Sequence, residues 1–250
     1  MSNDQWAARL RRSRLLNIVL AVAVAFLLVV TFAQATRGSG PSASGSAETS
    51  PTASAEPEAS PTPEPLRNDY ARHDADDPLA IGDPDAPVVL VEWTDMRCPF
   101  CAAFSRDTLP TVIEEYVDSG KVRIEFHDVA FFGEQSASAA VAVRAAAQQD
   151  LGVEYMDALF EAAPETGHPD LPREQLIAFA EQVGIPDIAA FSAALDDPAL
   201  NTEVLQATAD AQALGVNVVP FFFAGSNPLS GAQPIEVFRE YLDEAVAQAG

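Results

Sequence analysis

Two residues carry the chemistry that this sequence offers first. Cys98 and Cys101 are the chain's only cysteines, and they lie in the stretch "DMRCPFCAAFS", Asp95 to Ser105. Thiols at this spacing have three uses: a structural cross-link, part of a metal site, or a reversible dithiol–disulfide couple. A cross-link stabilises by closing a loop, and the benefit grows with loop length. A CxxC closes almost none. A zinc site needs four ligands from Cys, His or carboxylate. There is one CxxC, and His73, His127 and His168 are scattered, without a paired-histidine spacing. A site shared between two chains, or a copper-delivery role with Met96 as the one nearby soft ligand, stays open. The reactive pair is the favoured use.

That chemistry depends on what holds the first sulfur. "VVLVEW", Val88 to Trp93, is an apolar β-rich run that predicts a buried strand. From Pro99 the pattern turns helical as far as Gly120, with Pro110 expected to kink or break the helix. Cys98 therefore stands where a strand gives way to a helix. Free backbone N–H groups and the dipole at a helix N-terminus stabilise a thiolate. Cys98 is expected to be exposed and readily ionised, with Arg97 adding positive charge beside it. Cys101, one turn further in, is expected to be shielded and placed to resolve a mixed disulfide at Cys98. Glu92 is an acid inside the apolar strand. If buried, it has a raised pKa and can relay protons; if the strand alternates, it faces solvent. His127 reads as a surface or packing histidine, and Trp93 as core or site wall.

The elements around the pair have a definite order. Leu79 to Ile81 is a short apolar piece, and "KVRIEFHDV", Lys121 to Val129, is a second strand, which a strand–helix–strand crossover makes parallel to the first. Residues from about Gln135 to Leu214 carry five helical patterns separated by Gly and Pro. "VNVVPFFFAG" then predicts a strand over Val216 to Ala224, with a turn, a short returning strand and a final helix opened by Pro234. This is an α/β domain with an all-helical insertion, or two separate domains. Insertion is preferred, because the strands after the helices have nothing else to pair with. Pro220 lies inside an apolar strand, where it cannot donate to the ladder, so it belongs at an edge or in a special peptide bond.

The leading third of the chain has another character. Arg9, Arg11, Arg12 and Arg14 precede "LLNIVLAVAVAFLLVVTFA", Leu15 to Ala33. At about 1.5 Å per residue the run spans about 28 Å, close to the thickness of a bilayer's hydrocarbon core. Residues 1–14 are expected to be a cytoplasmic basic tail and 15–36 a transmembrane anchor, with the rest outside. A cleaved signal peptide, ending at "AQA" (Ala33 to Ala35), is the rival; either way the remainder is exported. Residues 37–69, rich in Pro, Ser, Ala and Glu, are expected to form a disordered linker with a reach of roughly 30 Å. The formal net charge is −23, and Lys121 is the only lysine. Such a chain repels nucleic acid and anionic lipid headgroups.

"GDPDAPVVLVEWTDMRCPFC" resembles the start of DsbA-like thioredoxin-fold proteins, in particular the membrane-anchored thiol–disulfide oxidoreductases of bacterial envelopes. The resemblance runs over about residues 78–248. It implies a thioredoxin-like fold with an inserted helical domain, Cys98 as the attacking cysteine and Cys101 as the resolving one. It also makes Pro220 a cis, client-docking proline with Val219 before it, and Glu92 the buried acid near the resolving cysteine. The implied cofactor is none beyond the redox-active Cys98–Cys101 disulfide, and no metal is implied. The implied partners are exported proteins with cysteines and a membrane partner that reoxidises or reduces the pair. One departure concerns Pro99 and Phe100, the residues between the cysteines. Strongly oxidising relatives often have histidine where Phe100 stands, so this pair is expected to be a weaker oxidant. An oxidase of exported proteins is the leading function, with a reductase or isomerase, or a tethered binding module with a redox-sensing pair, as alternatives.

Overall fold

The computed structural model describes residues 70–250; the expected basic tail, anchor and linker lie outside the described residues. Among the described residues no helix is long and apolar enough to cross a membrane.

A five-stranded mixed sheet forms the centre. Strand β1 is Ala80–Ile81, β2 Val88–Thr94 and β3 Val122–Asp128; after a helical stretch come β4, Phe221–Ala224, and β5, Asn227–Ser230. Their spatial order is β1-β3-β2-β4-β5. β2 and β3 pair in parallel, Val88 opposite Val122 and Thr94 opposite Asp128, while β4 runs antiparallel to β2. Every residue of β2 is buried, as its continuous apolar run implies for a strand covered on both faces.

Helix α1, Pro99–Asp107, follows β2 directly. The helix expected to run to Gly120 is broken just before Pro110 and not kinked. The helix stops at Asp107 and a new one, α2, Leu109–Val112, takes Pro110 into its first turn, where no intrahelical bond is lost. A π-helical turn, Ile113–Val117, completes the connection to β3. Between β3 and β4 lie five helices: α3 Glu134–Ala147, α4 Gly152–Glu161, α5 Arg173–Val183, α6 Ile188–Ala194 and α7 Pro198–Ala213. They share one continuous core with the sheet. Gly152 is required there, since a Cβ would sit 2.7 Å from Leu79 and 2.8 Å from Ala147. Helix α8, Ile235–Ala249, closes the fold. Phe104 of α1, Phe222 of β4 and Phe238 of α8 meet with ring centroids 4.7–5.0 Å apart, so α1 and α8 are packed on the same face of the sheet.

β4 starts later than the sequence pattern predicts. Val216 to Pro220 run as an irregular segment, because Pro220 has no N–H to give a ladder and the Val219–Pro220 bond is cis. On the other flank, residues 70–77 are laid along β3. The buried Glu125 carboxylate accepts from Arg72 N at 2.6 Å and His73 N at 3.1 Å. The Arg72 guanidinium donates to Phe126 O at 3.0 Å, and Arg123 donates to Asp74 O.

Candidate active site

Strand β2 ends at Thr94, a turn over Asp95–Arg97 follows, and Cys98 is the N-cap of α1. The turn is closed by Cys98 N donating to Asp95 O at 2.9 Å. The Cys98 sulfur accepts from Cys101 N at 3.4 Å, so the first free N–H groups of the helix point at it. On its other side the Cys98 thiol donates to Val219 O at 3.4 Å, which brings the residue before Pro220 onto the sulfur. Both cysteines are free thiols here.

Cys98 is not exposed, contrary to the sequence expectation: it is 2% accessible and forms the floor of a cleft of about 1150 Å³. The cleft is walled by Phe100, Phe131, Phe132, His168 and Val218. Phe100 is 65% exposed and Val218 55%, so two apolar side chains stand at the rim of a cleft that Glu165, Thr166, Gln212 and Asn217 also line. A hydrogen bond from the Cys101 thiol does most to hold the Cys98 thiol below the ordinary cysteine range. The backbone N–H groups of Cys101 and Phe100 act the same way; burial and the charge of Asp95 oppose them. Cys101 is pushed well above that range, first by burial and then by the neighbouring Cys98 sulfur.

Arg97 does not supply the expected charge at the sulfur. Its guanidinium donates to Pro169 O and to Phe132 O, both at 2.8 Å, and it is absent from the strongest influences on Cys98. The two bonds tie the loop before α5 and the segment before α3 to the thiol turn. Glu92 faces inward. Its Oε2 has no hydrogen-bond partner, and burial pushes its pKa up to about 8, with Cys98 adding to the rise and the Thr94 hydroxyl opposing it. The same hydroxyl lies against Cys101, where it lowers that thiol's pKa. His127 packs on Trp93, with ring centroids 5.3 Å apart, away from the cleft lining.

Several residues at the site were not singled out by sequence. Asp95 is buried beneath the turn; an Asp three residues before a cysteine reads simply as turn chemistry. Phe131, Phe132 and His168 reach the cleft only through the fold. His168 is held by its Nδ1 against Arg97 O at 2.8 Å and stacks on Phe132 at 4.2 Å between centroids. No cluster of three or more His, Cys, Asp or Glu side chains able to hold a metal occurs among the described residues.

A strand leading into a helix that is capped by the first cysteine of a CxxC, on a mixed sheet with a helical block between β3 and β4, defines a DsbA-like thiol–disulfide oxidoreductase architecture. The chain belongs to the thioredoxin family: the family model described as "Thioredoxin" matches residues 74–244. It is similar to disulfide bond formation protein D of Bacillus subtilis, 35% identical over 88 residues, which is 34% of this chain and 40% of that protein. The match thus spans about two fifths of that relative's length. It is also similar to the probable disulfide bond formation protein D of Bacillus anthracis, 28% identical over 151 residues, 59% of this chain and 70% of that protein. Among solved structures, oxidised BdbD from Bacillus subtilis superimposes with a TM-score of 0.63 at 23% identity, over 68% of this chain and 92% of that one. That likeness speaks for the fold.

Proposed function

We propose that the protein is a thiol–disulfide oxidase that introduces disulfides into exported proteins, with Cys98 as the exchanging thiol and Cys101 as the resolving one. The observation that carries this is the asymmetry of the pair. Cys98 takes hydrogen bonds at a helix N-terminus and is held below the ordinary thiol range, while Cys101 is buried and held above it. A stabilised Cys98 thiolate favours the reduced pair, and a couple whose reduced form is stabilised is an oxidant. The names of the Bacillus relatives support the same direction.

In the forward reaction a client thiolate attacks Sγ of Cys98 in the oxidised pair. The Cys98–Cys101 bond breaks, and Cys101 departs with the electron pair and takes up a proton. Glu92, protonated at neutral pH and influenced by Cys98, is assigned the supply of that proton. A second client thiolate then attacks the client sulfur of the mixed disulfide, and Cys98 leaves as the thiolate. The client has lost two electrons, and its two thiol protons have gone to solvent; the pair has gained the two electrons and one proton, carried by Cys101, while Cys98 stays a thiolate and Glu92 is reprotonated from solvent. Val219 and Pro220 form the client's docking edge beside the sulfur. Pro99 and Phe100 tune the couple, Phe100 by presenting an apolar face instead of a charge. A membrane-bound thiol oxidant reoxidises the pair. Residues 15–36 act as the anchor, residues 37–69 as the tether and residues 70–250 as the extracytoplasmic catalytic domain; the support for this is the arginine-flanked apolar run.

The test is the reduction potential of the pair in glutathione buffers, together with oxidative refolding of a reduced, cysteine-containing protein. A potential well above that of thioredoxin, with catalysed refolding, supports the oxidase. A thioredoxin-like potential supports the reductase, which is favoured by one observation: the Arg97 guanidinium is bonded to Pro169 O and Phe132 O, and Phe100 offers no charge to the thiolate.

A further inference from the structure

The proposed reaction gives no part to one buried acid. Asp95 is completely buried and lies one residue past β2, in the turn that leads to Cys98. Its Oδ1 accepts from Arg97 N at 2.8 Å and from Ser136 Oγ at 2.9 Å, and its Oδ2 accepts from Phe131 N at 2.7 Å. Ser136 is itself fully buried. The Asp95 main-chain carbonyl accepts from Cys98 N at 2.9 Å.

These bonds reach three separate pieces of the fold. Arg97 N and Cys98 N belong to the thiol turn, Phe131 to the facing wall of the cleft, and Ser136 to the first turn of α3. One carboxylate therefore spans the gap in which Cys98 stands. All its neighbours are donors. Burial raises its pKa above the ordinary carboxylate value, and these hydrogen bonds work the other way, favouring the ionised form. A charge so held is a like charge to the Cys98 thiolate and works against its formation. The other charged or titratable groups nearby are Glu92 from β2, Cys101 from α1, Arg97 in the turn, and Glu165 and His168 from the loop before α5.

We propose that Asp95 is a positioning residue for thiol exchange: its carboxylate ties the Cys98 turn to the Phe131 wall, sets the gap that a client must enter, and keeps a negative charge behind the sulfur. The proposal rests on Cys98 being the exchanging thiol. It has a signature that a merely structural role lacks. Removing the charge makes the thiolate form more readily, while releasing the wall makes client exchange worse.

The experiment uses the full-length protein in detergent and the variants Asp95→Asn and Ser136→Ala. Cys98 alkylation by iodoacetamide is followed against pH in the reduced form. Disulfide transfer from the oxidised form is timed with a dithiol peptide and with dithiothreitol. For Asp95→Asn, alkylation at pH 5 is expected to rise about threefold or more, the effect of losing a nearby like charge. The ratio of peptide rate to dithiothreitol rate is expected to fall about tenfold, the effect of a misplaced wall. Ser136→Ala keeps the charge and loses one holding bond, so its ratio falls while its alkylation does not rise. Asp95→Asn with an unchanged ratio, or with alkylation unchanged or slower, overturns the proposal. If Asp95→Asn does not fold, Ser136→Ala decides: a preserved ratio overturns the proposal and a lowered one supports it. A wild-type protein that transfers no disulfide to either dithiol refutes the proposed function instead, and the alkylation profiles still judge the charge of Asp95.

Discussion

Replacing Glu92 with Gln tests the electrostatics of the site directly. Glu92 is buried, one of its carboxylate oxygens is unpartnered, and its pKa is pushed up from 4.5 to about 8. A carboxyl raised in the folded state lowers stability in one pH window only. Below the unfolded value of 4.5 both states are protonated and nothing is lost. Between 4.5 and about 8 the unfolded chain ionises while the folded one holds its proton. Stability then falls by about 1.4 kcal/mol per pH unit. Above about 8 the loss levels off. Glutamine has the same shape and no charge to lose. From pH 5 to pH 7 the Gln variant should therefore gain about 3 kcal/mol on the wild type. Urea unfolding of the reduced proteins at pH 5, 6 and 7 reads this as diverging midpoints. Cys98 couples to Glu92, so both proteins carry Cys98→Ala to remove its contribution from the difference. Midpoints that stay parallel across this range would refute the assignment of Glu92 as a buried, protonated acid. With both cysteines present, the Gln variant should slow formation of the mixed disulfide from the oxidised pair, because the departing Cys101 loses the acid proposed to protonate it.

Three further outcomes are expected. Phe100→His places a donor, and a charge when protonated, next to a thiolate that now relies chiefly on Cys101 and backbone donors; equilibrium with glutathione should shift about tenfold toward the reduced pair, which is about 30 mV for two electrons. Cys101→Ser should accumulate mixed disulfides with client proteins on non-reducing gels and Cys98→Ser almost none; equal trapping would reverse the roles of the two thiols. Phe104→Ala should lower stability by about 3–5 kcal/mol in denaturant titrations, since it removes the ring packed on both Phe222 and Phe238.

What the sequence made legible was what is written locally. The apolar run from Val88 fixes β2, and Pro99 after Cys98 marks a helix start, so the cap position of the sulfur could be read before any fold was known. Pro220 inside "VVPFFF" pointed to an edge or a special peptide bond, but not to a strand that begins only at Phe221 instead of Val216. What could not be read depends on residues distant in sequence. Cys98 was expected to be exposed because a helix start usually meets water; here Val219 O and the Phe131–Phe132 wall come to it from far along the chain. Arg97 was expected at the sulfur on adjacency alone, but Phe132 O and Pro169 O, brought in by the helical block, are its partners. Asp95 carried no sign of its reach to Phe131 and Ser136.

The way residues 70–77 lie along β3 has a mechanical meaning. A domain pulled by its leading end is weakest when that end frays. Here a pull ahead of Tyr70 meets the Tyr70 ring packed on Trp93 and Phe223, then Arg72 and His73 bonded to Glu125, and Arg123 bonded to Asp74 O, so much of the load enters the sheet on β3, a strand flanked on both sides. From β3 it is shared in shear over the seven-residue register with β2 before it reaches the turn that carries Cys98. The chain can drag on its leading end while the thiol and its cleft keep their shape.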